Sequence, residues 1–317
     1  MAVLRGGKGT EYEVSLKTGA NVLATLGEKY DTQDIFIDRN GVWHMSGVPV
    51  YPETVCKNCD VVFNALHGEY GEDGQVQQIL NHLGVPYTGS EAWASAMAMN
   101  KELTREKMRE YGVKVPLGIV FDGGETLSEM AHTTFNKISP PWIVKPILGG
   151  SSVGMSVAKN SDELARALVH AFSFCHKVLV EEFITGIEAT VGVVEDFRGQ
   201  KHYALLPVQI IKPAHKDFFD YECKYDGSSQ EICPGRFTNG ESAELQELAV
   251  KVHNALNLRH YSRSDFIVHP KRGIFALEVN TLPGLTQESL LPKALHAVGH
   301  PLPEFLEHLI YLALKRK

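Results

Sequence analysis

No uninterrupted apolar stretch in this 317-residue chain approaches the roughly 20 residues that span a bilayer, so no transmembrane helix is expected. The opening residues, Met1-Ala2-Val3-Leu4-Arg5-Gly6-Gly7, carry no signal-peptide core either, and a cytoplasmic protein is expected. Cysteine is scarce: five scattered residues, an odd number, do not read as a disulfide framework. Cys56-Lys57-Asn58-Cys59 is a CxxC, but no second Cys pair or His pair completes a zinc set. Positive charge is not in excess, since 31 Lys and Arg face 38 Asp and Glu for a net charge of −7. With no basic run longer than Lys315-Arg316-Lys317, that balance argues against nucleic acid or an anionic membrane as partner. Also missing are the Walker A pattern, the dinucleotide fingerprint, internal repeats and low-complexity tracts. What remains is a soluble chain long enough for two or three domains.

What is present has an order. Ala2-Val3-Leu4 runs into Gly6-Gly7, and residues 13–26 carry Val14, Ala20, Leu23, Ala24 and Leu26 at helical spacing. Short buried strands are expected at 34–38 and 60–66, and a helix at 74–83. This alternation is the rhythm of an open parallel sheet, whose functional loops lie beyond the C-terminal strand ends. Residues 6–13 and 67–74 therefore share one functional edge. One helix is expected over 92–111, closed by Gly112 and the Val115-Pro116 step. Next come a strand at 142–145, a Gly-rich loop at 149–154, a strand at 155–158, a helix capped by Asn160 and Glu163, and a strand at 178–182. From residue 189 strands dominate, at 189–194, 203–211, 263–268 and 274–279. A helix over 241–256 bears Leu245, Leu248, Val252 and Leu256 on one stripe. The polar stretch 212–237 has the length of a functional lid.

Several constellations carry chemistry. Arg263-Ser264-Asp265 and Glu278-Val279-Asn280 lie on strands that His269-Pro270-Lys271-Arg272-Gly273 can join as a hairpin. Pairing them groups Asp265, Glu278 and Asn280, three oxygen ligands that fit Mg²⁺ or Mn²⁺, with Arg263 beside them. The same residues also fit a hairpin laced by an Arg263 ion pair. Gly149-Gly150-Ser151-Ser152-Val153-Gly154, behind Lys145, reads either as a phosphate cradle or as a tight turn. Glu181 and Glu182, followed by Phe183 and Ile184, could meet a nucleoside, although many strands end in acids. Glu13 opens a helix, where a carboxylate also simply suits the helix dipole. His67, before Gly68-Glu69-Tyr70-Gly71-Glu72-Asp73-Gly74, stands at a strand end well placed for substrate.

Taken in order, these segments resemble the D-alanine–D-alanine ligases of the ATP-grasp superfamily. The resemblance also rests on Glu13-Val14-Ser15-Leu16, Ala65-Leu66-His67-Gly68, Pro86-Tyr87-Thr88-Gly89-Ser90, Val144-Lys145-Pro146 and Lys224-Tyr225. Later come Cys233-Pro234, Thr281-Leu282-Pro283-Gly284-Leu285-Thr286 and Ser289-Leu290-Leu291-Pro292, so nearly the whole chain is covered. The resemblance implies an α/β chain with three domains: an N-terminal open parallel-sheet domain (1–95), a small central domain (96–185) and a C-terminal domain (186–317) with metal site and lid. It implies ATP and two Mg²⁺ or Mn²⁺ ions, D-alanine as substrate, a place in peptidoglycan synthesis, and a homodimer.

It implies roles as well. Asp265, Glu278 and Asn280 would hold metal, while Lys101, Lys145 and Lys224 would meet phosphates, with Ser151 and Ser152 in the phosphate loop. Glu181, Glu182, Phe183, Ile184 and Glu188 would line the nucleoside site. Arg263 and the Gly284 N–H would steady an oxyanion. Glu13 would take the first ammonium near His67, and Ser151 would link Glu13 to Tyr225. Ser289 and the Leu290 N–H would receive the second carboxylate. Two departures stand out: Asn100 replaces the Asp usual before Lys101, weakening a cap, and Gly235-Arg236 follow Pro234 where Ala is usual. Tyr225 favours a dipeptide over a depsipeptide product.

Overall fold

A computed structural model describes residues 1–213 and 229–315. The first layer contains β1 (Ala2–Gly6), α1 (Tyr12–Leu26), β2 (Gln33–Ile37), β3 (Trp43–Met45), β4 (Val48–Val50), α2 (Pro52–Lys57), β5 (Val62–Asn64) and α3 (Gln75–His82). Its strand order is β4-β3-β2-β1-β5. β1 runs parallel to β2 and β5, as the alternating pattern requires. The antiparallel β3–β4 edge is an addition to that pattern. Ser46 and Gly47, with φ of 53° and 79°, make the tight turn between these strands. Cys56 packs in the core of this layer, and burial pushes its thiol up to about 12, well away from reactivity.

The single helix expected over 92–111 is two: α4 (Ala92–Met99) and α5 (Lys101–Glu110). Asn100 breaks it with extended backbone, φ −92° and ψ 106°. Its side-chain oxygen accepts the Glu102 and Leu103 N–H groups at 3.0 and 3.2 Å. Replacing Asp by Asn has therefore kept the cap.

The second sheet, ordered β6-β9-β7-β8, is antiparallel throughout. Its elements are β6 (Gly118–Phe121), α6 (Leu127–Lys137), β7 (Trp142–Pro146), β8 (Ser156–Ala158), α7 (Ser161–Phe172) and β9 (Val178–Glu182). Met130, Leu164 and Leu168 of the two helices cover Trp142, Val144 and Val180, leaving the other face to the cleft.

The third sheet comprises β10 (Ile187–Phe197), β11 (Gln200–Ala204), β12 (Val208–Ile211), β13 (Gln230–Ile232), β14 (Tyr261–His269) and β15 (Gly273–Asn280). Helix α8 (Asn239–Ala255) follows β13, and α9 (Leu290–Ala297) and α10 (Leu302–Lys315) follow β15. The expected strand 203–211 divides into β11 and β12, which pair with different stretches of β10. Pro207 sits at the break and has no N–H for a continuous ladder.

Alternate residues of β10 face different cores. Ala189, Val191 and Val193 pack with Leu245, Leu248 and Val252 of α8. On the other face, Val194 and Tyr261 join Leu291, Phe305 and Leu309, together with Val3, Val22 and Phe63 of the first layer. Gly192 is small for a reason: a Cβ there would come within 2.5 Å of Leu291 Cδ1 and 2.9 Å of Leu205 Cδ1, so both leucines would have to shift. No helix among the described residues is long and apolar enough to cross a membrane.

Candidate active site

Two adjoining cavities lie where the three sheets meet, one of about 880 Å³ and one of about 350 Å³. The β14–β15 hairpin forms their shared wall. Arg263 stands opposite Asn280, and Asp265 opposite Glu278, followed by a register irregularity after Asp265. The Arg263 guanidinium donates to both Asp265 oxygens at 3.0 Å, and Thr190 Oγ1 donates to one of them at 2.5 Å. Asn280 Oδ1 accepts the Leu282 N–H at 2.9 Å. The ion pair of this hairpin is therefore formed, and the three oxygen-bearing side chains share its face. Asp265 lines the small cavity, Asn280 the large one, and Glu278 both.

Lys101, Lys145, Ser152, Glu181, Glu182, Phe183, Ile184 and Glu188 all line the small cavity. Lys145 is buried and ion-paired with Glu181. Burial pulls its ammonium below the usual lysine range, with Glu278 opposing and Lys101 assisting. Arg105, which the motifs did not single out, also pairs with Glu181 and donates to the Pro116 carbonyl at 2.6 Å. Glu181 is therefore held by two cations. Glu182 is clamped by Arg272 at 2.7 and 2.9 Å and accepts the Leu117 N–H at 2.8 Å. Glu188 lies 3.5 Å from Lys212. Lys101 donates to the Gly149 carbonyl at 2.6 Å, tying α5 to the Gly-rich loop.

In the large cavity the expected link from Ser151 to Glu13 is replaced by one to Glu11. Ser151 Oγ donates to Glu11 Oε1 at 2.5 Å, and Glu11 is only 8% exposed. Glu13 is exposed at the cavity rim and pairs with Arg39 at 3.3 Å. The reason is helical geometry: two residues along a helix rotate a side chain by about 200°. Glu11, at the N-cap of α1, points between the loops; Glu13 points out. Gly68, at φ +65°, makes room for this carboxylate, since a Cβ there would lie 2.7 Å from Glu11 Oε2.

His67 is buried and its Nε2 bonds Thr18 Oγ1 at 2.9 Å. Burial lowers its pKa against the pull of Glu11, keeping the imidazole neutral. Glu72 was not expected here, yet it is buried, accepting the Gly68 N–H at 2.7 Å and the Leu282 N–H at 3.0 Å. Burial and the neighbouring Glu11 push its carboxyl up to about 8. Ser289 is the N-cap of α9, and its Oγ accepts the Thr286 N–H at 3.2 Å. Gly284, Ser289 and Leu290 line the same cavity, so the unpaired N–H groups of α9 open onto it. Lys224 and Tyr225 lie outside the described residues.

An antiparallel sheet bearing Lys145, set across a cavity from one bearing Asp265 and Glu278, with an α/β layer alongside, defines an ATP-grasp protein. Basic groups and oxygen donors converge on the small cavity, and the start of α9 opens onto the large one. The chain belongs to the D-alanine–D-alanine ligase family: the model for the D-ala D-ala ligase C-terminus matches residues 108–311, and that for the N-terminus matches 45–90. A D-alanine–D-alanine ligase of Syntrophobacter fumaroxidans is 39% identical, across 99% of this chain and 97% of the relative. One from Geotalea uraniireducens is 38% identical over 99% and 95%. Among solved structures, the VanG D-Ala:D-Ser ligase of Enterococcus faecalis superposes with TM-score 0.87 at 30% identity, covering 98% of each chain. The D-alanine–D-alanine ligase of Coxiella burnetii gives 0.85 at 27% identity, over 99% and 93%.

Proposed function

We propose that this protein is an ADP-forming ligase that joins two D-alanines for peptidoglycan precursors. The observation that carries the reading is the register of β14 against β15, which sets Arg263, Asp265, Glu278 and Asn280 on one face between two cavities. ATP occupies the small cavity, its base beside Phe183 and Ile184 and its phosphates near Lys101, Lys145 and the loop at Ser151 and Ser152. A carboxylate oxygen of the first D-alanine attacks the γ-phosphorus, ADP leaves, and a D-alanyl phosphate forms. The amine of the second D-alanine attacks that carbonyl and loses its proton, the C–O bond to phosphate breaks, and phosphate departs. Positioning and charge neutralisation do most of this chemistry.

The placement of the described residues supports the following roles. Glu11, not Glu13, takes the ammonium of the first D-alanine, because it is the carboxylate aimed into the cavity. Arg263 and the Gly284 N–H stabilise the oxyanion. Ser289 and the Leu290 N–H hold the second carboxylate at the start of α9. Asp265, Glu278 and Asn280 are a hard, all-oxygen donor set and would hold Mg²⁺ or Mn²⁺. Held there, such an ion would supply positive charge to offset that of the phosphates. The resemblance assigns Lys224 to phosphate and Tyr225 to a link with Ser151; both lie outside the described residues. The three-domain division at about 95 and 185, a cytoplasmic location and a homodimer complete the proposal.

The test offers D-alanine, D-serine, D-lactate and L-alanine in pairs with ATP and Mg²⁺, reading ADP and phosphate release. D-Alanine alone supports full turnover if the reading is right. Preference for D-serine as second substrate would align the chain with the D-Ala:D-Ser ligase it superposes on, and equal use of L-alanine would overturn the assignment.

A further inference from the structure

Three side chains that the ligase chemistry does not use converge on the far face of the third sheet. Glu195 on β10 and His202 on β11 are directly opposite in the antiparallel ladder, and His253 arrives from α8. Strand alternation settles their side. Glu195 shares a face with Ala189, Val191 and Val193, which pack on α8, whereas Thr190 bonds Asp265 on the other face. Along β10, Thr190 and Glu195 are separated by about 17 Å. The cluster is thus distinct from the oxygen donors of the nucleotide side.

His253 is fully buried. Its Nδ1 bonds Ser262 Oγ at 2.8 Å, while its Nε2 is buried without a hydrogen-bond partner among the described residues. Glu195 Oε1 lies 3.8 Å from that nitrogen, and His202 Nε2 lies 3.7 Å from the same oxygen. Both separations are too long for hydrogen bonds. The second Glu195 oxygen is engaged by the His260 N–H at 2.7 Å, which fixes the carboxylate with Oε1 toward the two rings. One ligand atom from each residue lies within 4.8 Å of the other two.

We propose that Glu195, His202 and His253 form a binding site for a borderline divalent metal, Zn²⁺ or Co²⁺, on the sheet face opposite the nucleotide. Two imidazoles and a carboxylate suit such an ion, whereas the all-oxygen set beside the nucleotide suits a hard one. Metal–ligand distances of about 2.0–2.2 Å put tetrahedral ligand atoms roughly 3.3–3.5 Å apart. The 3.7 and 3.8 Å separations from the carboxylate need to close by a few tenths of an ångström, and the edge between the two rings, within 4.8 Å, by up to about 1.4 Å. Ser262 acts on the outer nitrogen of His253, orienting the ring with Nε2 toward the site. The side chains of His202 and Glu195, 13% and 12% exposed, leave a path for the ion and a place for a water as fourth ligand. Metal bound there would staple β10, β11 and α8 together behind the strand that bears Asp265.

The experiment uses the whole protein, stripped with chelator and titrated with Co²⁺ in excess Mg²⁺. One equivalent is expected to give the intense visible absorption of tetrahedral Co²⁺, displaced by Zn²⁺. His202→Asn and Glu195→Gln should each weaken Co²⁺ binding at least tenfold, while Asp265→Asn retains the band. Zn²⁺ should also raise the melting temperature of the wild type and not that of His202→Asn, the two melting alike in chelator. His202 is chosen because it is the partly exposed one of the two imidazoles, so its loss spares the core. No stoichiometric band, equal binding by His202→Asn, or loss of the band in Asp265→Asn would overturn the proposal.

Discussion

The two faces of the third sheet differ by a single residue step, and they carry opposite chemistry. Asp265 faces the cavities, bonded to Arg263 and Thr190, while Phe266 beside it is buried against α8. One face presents charge to ligands; the other buries Ala189, Val191, Val193 and Phe266 in a packed layer. Alternation lets one strand hold a functional group rigidly from behind, because the apolar face sets the position of the polar one. Truncating the two faces should therefore damage different quantities.

The largest expected effect is on the apolar face. Leu245→Ala, in α8 against that face, should destabilise the fold by about 2–5 kcal/mol in urea unfolding, with KM for ATP nearly unchanged in the folded fraction. Arg263→Ala, on the polar face, should cost about 10²–10³ in kcat while the melting temperature moves little. Equal loss of stability in both variants would break the comparison. A sharper contrast sits on α1. Glu11→Gln should weaken use of the first D-alanine by about 10–100-fold, as expected for a lost charge-assisted contact, whereas Glu13→Gln changes it less than about twofold. Steady-state kinetics against D-alanine separates them.

A pH dependence adds a further contrast. The folded-state pKa of Glu72 is raised to about 8, so between about pH 4.5 and 8 the native chain binds more protons than the unfolded one. Its contribution to stability is then lost as pH rises through that window. Urea midpoints of wild type should fall more steeply from pH 5 to pH 8 than those of Glu72→Gln. A parallel decline would mean that Glu72 is ionised throughout.

The same periodicities explain what was legible in the chain. The parallel rhythm of β1, β2 and β5, and the hairpin pairing of Asp265 with Glu278, follow from short-range pattern alone. What escaped depends on one residue or on distant contacts. Asn100 and Pro207 each break an element that apolar spacing continues through, because caps and missing donors act at single positions. Glu11 and Glu13 flank Tyr12 and look equivalent in sequence; only the start of the helix decides which one turns inward. Arg105 and Glu72 reach the site from segments read only as a helix face and an acidic turn, and only tertiary packing reveals them. Glu195, His202 and His253 are far apart in the chain and meet through strand pairing plus α8.

In the proposed reaction ATP is cleaved by attack of a D-alanine carboxylate oxygen. Turnover of D-alanine carrying heavy oxygen in its carboxylate, with mass analysis of the released phosphate, tests it directly. One heavy oxygen should appear in phosphate for each dipeptide formed and none in the nucleotide. Unlabelled phosphate, or label recovered in AMP, would contradict it.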